Sequence, residues 1–516
     1  MSKKELVPQD VTVKLVSFSQ LANVKSPLAL DSYQRAYVWG EDKIVQLLND
    51  FSEFIQTNNA SKPYYMGTLL LHQKVEAKQN RHFVIDGQQR LTSLSILYWL
   101  LQGKLPAHIQ FEFRSSRSLV NIQQAKSTMQ AWFKEQQIDK EEFTKVFKQL
   151  RFTVIAVQRE DLAFTFFDTQ NNRGVPLGST DLLKAFHLRA IQDGNIKMVE
   201  QLQSHCAKRW EQVQLQGELN KTSQHNDFAP ELFHYYLWRG RNWTGNQVVE
   251  LESKDEMLKH FGEHSKKAMI GEVALYSAGT NQWGKSLTLT TTNDYSLTPA
   301  KQHIGQQAAY LPFALRQPIS QGVGFFLYAE KYASMLNVLF YQPSDSPEVL
   351  ALQGFYNDVV STLSAYLQSI FRLATLTYFD RLGSEGLLRF AIWLDHRLGA
   401  IRLTQADIRR ETPLKFLREA KQNLLDVLAY AYDIDDVIRF LRQDDVSNAY
   451  AAHSGWKTQI KSNRLVQERY ASAVARYFNV GNLRIKTDKH IESTIINKLN
   501  QVSAEKLGVQ QGARHV

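Results

Sequence analysis

The sequence predicts an α+β protein, with a mixed N-terminal domain followed by a mostly α-helical C-terminal half. Three observations predict it. Short alternating apolar runs gather in the first half, long stretches of helical periodicity dominate the second, and 43% hydrophobic with 22% charged residues is a globular composition.

Val11 to Val16 alternates as a half-buried strand does. Gly40 to Phe54 reads as a helix. Ile44, Leu47, Leu48, Phe51 and Phe54 recur at three- and four-residue steps, and Glu41 and Asp42 sit in the first turn. Tyr65 to His72 and His82 to Ile85 are strands joined by a polar turn from Lys74 to Arg81. Leu91 to Leu101 is an apolar helix. Phe152 to Val157 is a further strand, and Asp161 to Thr169 and Ser179 to Gln192 are helices flanking a turn at Gly174 to Pro176. In the second half, Pro230 to Trp238, Gly322 to Phe340, Pro347 to Phe371, Glu385 to Leu398 and Pro413 to Tyr432 carry helical periodicity. Their aromatics (Phe325, Phe326, Tyr328, Phe355, Tyr356, Tyr366) read as core. Ser277 to Gly305, rich in Thr, Ser and Asn, reads as a long loop.

At 516 residues the chain has room for about three domains, at roughly 100–200 residues each. No apolar run approaches the roughly 20 residues of a membrane span. The richest, Leu91 to Leu101, is interrupted by Thr92, Ser93 and Ser95. The charged start MSKKELVPQD has no apolar leader, and Cys206 is the single cysteine. The expected location is therefore a reducing cytoplasm, with no disulfide, no cysteine-based zinc site and no metal centre of the protein's own. Lys and Arg exceed Asp and Glu by 61 to 51, a net charge of +10. The excess is uneven: Ala451 to Val516 holds eleven basic against four acidic residues. Lys457, Lys461, Arg464, Arg469 and Arg476 are its candidate DNA contacts.

Three segments carry chemistry. Phe83 to Thr92 reads FVIDGQQRLT, an apolar strand ending at Asp86, a tight turn at Gly87, and an apolar helix opened by Gln88, Gln89 and Arg90. Unpaired amides at a helix start, with an arginine in the first turn, suit phosphate. Asp86 would hold a metal or water, or cap the helix. Asp31 to Trp39 sets Tyr33, Tyr37 and Trp39 beside Gln34 and Arg35, as a stacking surface for a base or a packed aromatic corner. Phe167 to Leu177 contains Asn171, Asn172 and Gly174, suited to a polar ligand or to a turn, with Ser179 or Thr180 as cap of the next helix.

Taken in order, Tyr33 to Trp39 (YQRAYVW), Tyr65-Met66-Gly67-Thr68, Ile85 to Thr92 (IDGQQRLT), and Phe167, Asn171, Gly174 and Leu177 with Asp181-Leu182-Leu183-Lys184 resemble the GmrSD-type restriction endonuclease N-terminal domain family over roughly residues 12 to 195. The resemblance implies a ParB/sulfiredoxin-like core with a nucleotide phosphate site at the segment matching Asp86 to Arg90. It also implies a prokaryotic, modification-dependent defence system that acts on phage DNA and is linked to nucleoside triphosphate binding or hydrolysis.

Carried over by residue, Asp86 positions water, metal or phosphates, and Arg90 acts with it. Gln88, Gln89 and Arg90, at the turn of Gly87, contact phosphate. Tyr33, Gln34 and Arg35 line the cleft, and Asn171 and Gly174 shape its far wall. The implied cofactor is an NTP of unspecified base with Mg²⁺. The implied partners are DNA and a separate nuclease or second family member. The chain then divides into residues 1–195, a helical connector with a long polar loop over 196–310, and a helical domain with a basic end over 311–516.

Many relatives end in an HNH nuclease domain, but His396, His453, His490 and His515 lack its surroundings. His205, His225 and His234 read as structural. Three functions follow: an NTP-hydrolysing protein acting on DNA, a non-catalytic subunit recruiting a nuclease, or a nuclease pairing Asp86 with Asp31 or Asp181 around Mg²⁺.

Overall fold

The computed structural model describes residues 11–22, 27–30, 34, 36–57, 62–76, 79–107, 109, 111–113, 116–159, 178–193, 195–216, 227–251, 253–267, 273–276, 285–289, 291, 295–299, 307–405, 407–451, 465–480, 493–498 and 500–501. The chain divides into two compact units, Met1–Ala185 and Phe186–Val516. It is α+β, as its sequence predicts: a five-stranded sheet in the first unit, then a mostly helical second unit.

The first unit runs β1 (Val11–Ser17), α1 (Phe18–Ala22), β2 (Leu28–Leu30), α2 (Glu41–Gln56), β3 (Tyr64–Glu76), β4 (Gln79–Asp86), α3 (Gln88–Gln102), α4 (Ser116–Gln136), α5 (Lys140–Thr144), α6 (Val146–Gln149), β5 (Leu150–Val157) and the first half of α7 (Ser179–Arg189), which continues past Ala185 into the second unit. The sheet order is β1-β5-β3-β4-β2. β1 lies antiparallel to β5, and β3 antiparallel to β4. β5 and β3 run parallel, as do β4 and β2.

Strand side chains alternate between faces, so each face meets its own layer. Leu69, Leu71, Val84 and Phe152 join the main core with Leu48 and Phe51 of α2, Leu91, Leu94 and Leu97 of α3, and Met129 and Trp132 of α4. Leu70, Ile85 and Val157 face the other way, onto Leu182 and Ala185 of α7. The central strands are therefore covered on both sides, which explains why they read as apolar runs.

The β3–β4 pairing continues through Gln73, Lys74, Val75 and Glu76 opposite His82, Arg81, Asn80 and Gln79. The expected turn over Lys74 to Arg81 is thus mostly strand, because main-chain pairing holds a ladder whose side chains are polar. β2 escaped detection because its three residues pair with β4 and, at Leu28, bridge to Ile109, all from distant stretches of sequence. The expected helix over Asp161 to Thr169 and the turn at Gly174 to Pro176 lie outside the described residues. The first turn of α7 closes on the Gly178 carbonyl (Leu182 N–H, 3.2 Å), and Asp181 Oδ2 accepts from the Gly178 N–H at 3.3 Å, so the cap position is held by Gly178 and Ser179 is already the first helical residue.

In the second unit, the expected single helix from Pro347 to Phe371 is broken. Pro347–Asp358 ends at a short 3₁₀ turn, and Ala365–Leu382 starts anew with Ser364 Oγ accepting from Leu367 N–H. Val359 and Val360 carry the apolar pattern through the break, fully buried, so periodicity alone hides it. Pro413 to Tyr432 likewise divides into Glu411–Arg418 and Leu424–Tyr430, the second capped by Asn423. The stretch read as a loop from Ser277 to Gly305 contains a hairpin, Lys285–Leu289 against Tyr295–Pro299, whose Ser-Leu-Thr alternation is the strand signal. Pro230 to Trp238 is α-helical only to Glu231, then π-helical over Leu232–Trp238. Five of the six core aromatics are buried, but Tyr366, in the first turn of its helix, is 45% exposed.

Candidate functional site

β4 delivers Asp86 as its last residue, and α3 starts at Gln88. Gly87 between them has φ +103° and is the N-cap of α3. A side chain there would be strained, and its Cβ would sit 2.2 Å from Leu69 Cδ2. The first intrahelical bond is Leu91 N–H to Gly87 O (3.0 Å), so the amides of Gln88, Gln89 and Arg90 have no acceptor within the helix. No side chain caps them. Asp86 is therefore not the helix cap.

The carboxylate of Asp86 instead meets Arg90 one turn on, with Oδ2 3.3 Å from Nη2. The two side chains are 38% and 23% exposed, and such a half-solvated pair contributes at most ~1 kcal/mol to stability. Arg90 also binds the main chain of β3. Nη1 donates to Met66 O (2.7 Å) and Nη2 to Thr68 O (2.6 Å). These carbonyls flank Gly67, at φ +93° within a register irregularity between β3 and β5. A Cβ on Gly67 would lie 2.4 Å from Arg90 Nη1. The irregular strand turns two carbonyls toward the guanidinium and fixes it beside Asp86.

Two glutamines frame the corner. Gln34 Nε2 donates to Val84 O (2.7 Å) and Ile85 O (2.9 Å), along the end of β4. Gln89 uses both ends of its amide on the 36–38 main chain: Oε1 accepts from Val38 N–H (2.8 Å) and Nε2 donates to Ala36 O (3.1 Å). Gln88 is 4% exposed, and its Oε1 has no hydrogen-bond partner. Thr92 Oγ1, one turn on, is likewise without one. Buried polar atoms are rarely left this way, so the start of α3 keeps unused bonding capacity.

Sequence reasoning placed Lys184 in a motif without a role. It lies on α7, is 5% exposed, and donates from Nζ to Gln34 O at 3.3 Å. The 150 positions between the two residues hide the contact from the sequence. Tyr65, 57% exposed, likewise stands in a motif without an assigned role. Its phenol is pulled below its ordinary range by the hydrogen bond to Thr153, then that to Thr68, with the positive charge of Arg90 adding to them.

Other expected residues stand apart. Tyr37 is buried, with its hydroxyl 2.7 Å from Ser93 Oγ and its carbonyl accepting from Asn121, so it belongs to the core. Asp181 is engaged in capping α7. Tyr33, Arg35, Asn171, Gly174 and Asp31 lie outside the described residues, as do Lys457, Lys461 and Arg464. Arg469 and Arg476 are exposed on the helix Leu465–Phe478, seven residues apart and so on one stripe, while Tyr470, Val474 and Tyr477 bury the other side. His396 stacks on Tyr450 (4.6 Å, 12°). Among the described residues no three His, Cys, Asp or Glu side chains gather as a metal site, and no helix is long and apolar enough to cross a membrane.

Residues 18–188 match the family described as the GmrSD restriction endonuclease, N-terminal domain. Residues 202–457 match a family of unknown function, DUF7834. No curated protein matches the chain.

Proposed function

We propose that this chain, which carries a GmrSD restriction endonuclease N-terminal domain over residues 18–188, binds and hydrolyses a nucleoside triphosphate as part of a modification-dependent system that restricts phage DNA, with the triphosphate at the Asp86–Arg90 corner. One observation carries this reading. Asp86 stands at a glycine-capped helix start without capping it, so the first amides of α3 are unbonded within the helix and the half-exposed carboxylate keeps acceptor capacity beyond its one contact with Arg90.

The donor set fits a polyphosphate. Amides at a helix N-terminus favour an anion. Arg90 keeps its Nε–H and second Nη1–H beyond its three bonds within the corner, and Lys184 brings a second cation to Gln34. Mg²⁺ arriving with the nucleotide would neutralise phosphate charge, and one carboxylate is the protein share such an ion commonly takes. Asp86 holds the attacking water and accepts its hydrogen bond. Arg90 keeps that carboxylate in place, Gln34 fixes the strand end that carries it, and Gln89 fixes the neighbouring main chain. DNA contact falls to the exposed face bearing Arg469 and Arg476.

The test is phosphate release by the full chain with each NTP and Mg²⁺, with plain and with modified DNA. Release that disappears in folded Asp86→Asn and Arg90→Ala proteins sustains the reading. Release unchanged in both sinks it. A second reading, a sensor that binds nucleotide and recruits a separate nuclease, is favoured by the commitment of Gln34, Gln89 and Arg90 to main-chain groups. Binding without turnover in wild type would select it, and DNA cleavage without nucleotide would refute both.

A further inference from the structure

The second unit contains a cavity of about 570 Å³, within the roughly 300–1,000 Å³ range of small-molecule sites. Its wall includes the π-helical segment Leu232–Trp238, a conformation that often marks functional sites. Three arginines from distant stretches line it, Arg239, Arg372 and Arg410, against two glutamates, Glu231 and Glu250, an excess of one positive charge.

Each arginine is differently held. Arg239 is 8% exposed and lies between the rings of Tyr235 (4.6 Å) and Trp243 (4.8 Å). Its Nη2 donates to both oxygens of Glu250 (2.8 and 2.9 Å), but its buried Nε–H has no hydrogen-bond partner. Arg372 donates from Nε to Tyr356 Oη (2.8 Å) and from Nη1 to Tyr341 Oη (3.0 Å). Tyr356 in turn donates to Gln368, whose amide is tied to the carbonyls of Ser361 and Leu363. That relay sets the guanidinium in advance. Arg410, with its side chain 64% exposed, stands at the mouth, 3.7 Å from Glu250. Tyr235 and Tyr366, each 45% exposed, add accessible ring surface.

We infer that this cavity binds a phosphorylated nucleoside, with Arg372 and Arg410 meeting the phosphate and Tyr366 and Tyr235 the base. A small inorganic anion would leave the ring surface and most of the volume unused. A neutral aromatic would leave the excess positive charge of the lining, and the exposed guanidinium of Arg410, without a counter-charge. The same chemistry is offered by a free mononucleotide and by the nucleotide unit of a single strand. This site lies within the second unit and does not rest on the Asp86 corner.

The experiment titrates the full chain calorimetrically with the nucleoside 5′-monophosphates, the matching nucleosides, inorganic phosphate and a 5′-phosphorylated single-stranded DNA tetramer. At least one monophosphate or the tetramer is expected to bind tenfold or more tighter than nucleoside or phosphate. Tyr366→Ala and Arg410→Gln, both outward-facing and checked by circular dichroism, should each weaken that binding at least fivefold, while Asp86→Ala leaves it unchanged. A tighter monophosphate assigns a free nucleotide, and a tighter tetramer assigns a strand. Binding no tighter than inorganic phosphate, or wild-type affinity in both folded variants, overturns the inference. Loss of phosphate release in Asp86→Asn with this binding intact separates the two sites.

Discussion

Two ion pairs of this protein, one in each unit, are built differently. Lys331–Asp380, in the helical unit, is buried, with side chains 0% and 8% exposed. Every neighbour answers it: Lys331 also donates to Phe313 O, and Asp380 accepts from Tyr332 Oη and the Leu315 N–H. Burial pulls the lysine below its ordinary range, with Asp380 opposing the shift. Asp86–Arg90, in the mixed unit, is half-exposed, longer at 3.3 Å, and flanked by helix-start amides with no acceptor in the helix. The first pair is closed and holds a fold together. The second is open, with donors and acceptors that the fold leaves unused beside it.

The largest effect should come from the closed pair. Asp380→Ala leaves a buried ammonium uncompensated and is expected to cost about 3–5 kcal/mol in denaturant unfolding. Lys331→Met with Asp380→Asn should recover more than half, because removing both charges also removes the desolvation cost. An Asp380→Ala protein as stable as wild type would show that the pair is not buried as described.

A smaller effect is titratable. His187 is buried and stacks on Phe325 (3.8 Å, 8°). Its Nε2 faces Phe261 O at 2.9 Å, and its Nδ1 faces the Gly322 N–H at 3.3 Å, a setting only the neutral Nε2–H ring satisfies. Burial pushes its pKa down to about 3, against a weaker upward pull from the Phe261 carbonyl. The unfolded ring titrates near its ordinary value, roughly 6.5. Between those values the unfolded state binds the extra proton, so the contribution is complete above pH 6.5 and is lost as pH falls toward 3. The slope for one such group is about 1.4 kcal/mol per pH unit. His260, lowered to about 4 by burial first and then by Arg241 and His264, adds in the same direction. Urea midpoints at pH 7 and pH 4.5 should differ less in His187→Gln than in wild type. An equal difference would remove His187 from the account.

At the open pair, Gly67→Ala should cost only about 1–2 kcal/mol from backbone strain, yet it should abolish phosphate release, because the new methyl occupies the place of Arg90 Nη1. Retained release in a folded Gly67→Ala protein would mean that Arg90 need not stand where it does. The smallest expected effect is on DNA. Each of Arg469→Gln and Arg476→Gln should lower the slope of log affinity against log salt by about 1. An unchanged slope in both would place the DNA surface elsewhere.

The same contrast sets what could be read from the sequence. The apolar strands and the glycine turn were legible, since Leu69 to Leu71 and Val84 to Ile85 record burial directly and Gly87 records a backbone that admits no side chain. The break after Asp358 was not, because Val359 and Val360 stay buried while the helix ends. The hairpin at Lys285–Leu289 and Tyr295–Pro299 was hidden by its polar composition. At the corner, the identities of Asp86 to Arg90 could be read, but their bonds could not. That Gly87 caps the helix, that Arg90 grips Met66 and Thr68, and that Lys184 reaches Gln34 are facts of tertiary placement. Arg239, Arg372 and Arg410 form no local pattern, and only folding brings them to one cavity.

Amide hydrogen exchange over Phe83 to Leu94 tests the open corner most directly. With NTP and Mg²⁺ added, the amides of Gln88, Gln89 and Arg90 should slow markedly in wild type and remain fast in folded Asp86→Asn. Exchange there that is indifferent to saturating nucleotide, while protection grows elsewhere in the chain, would contradict the assignment.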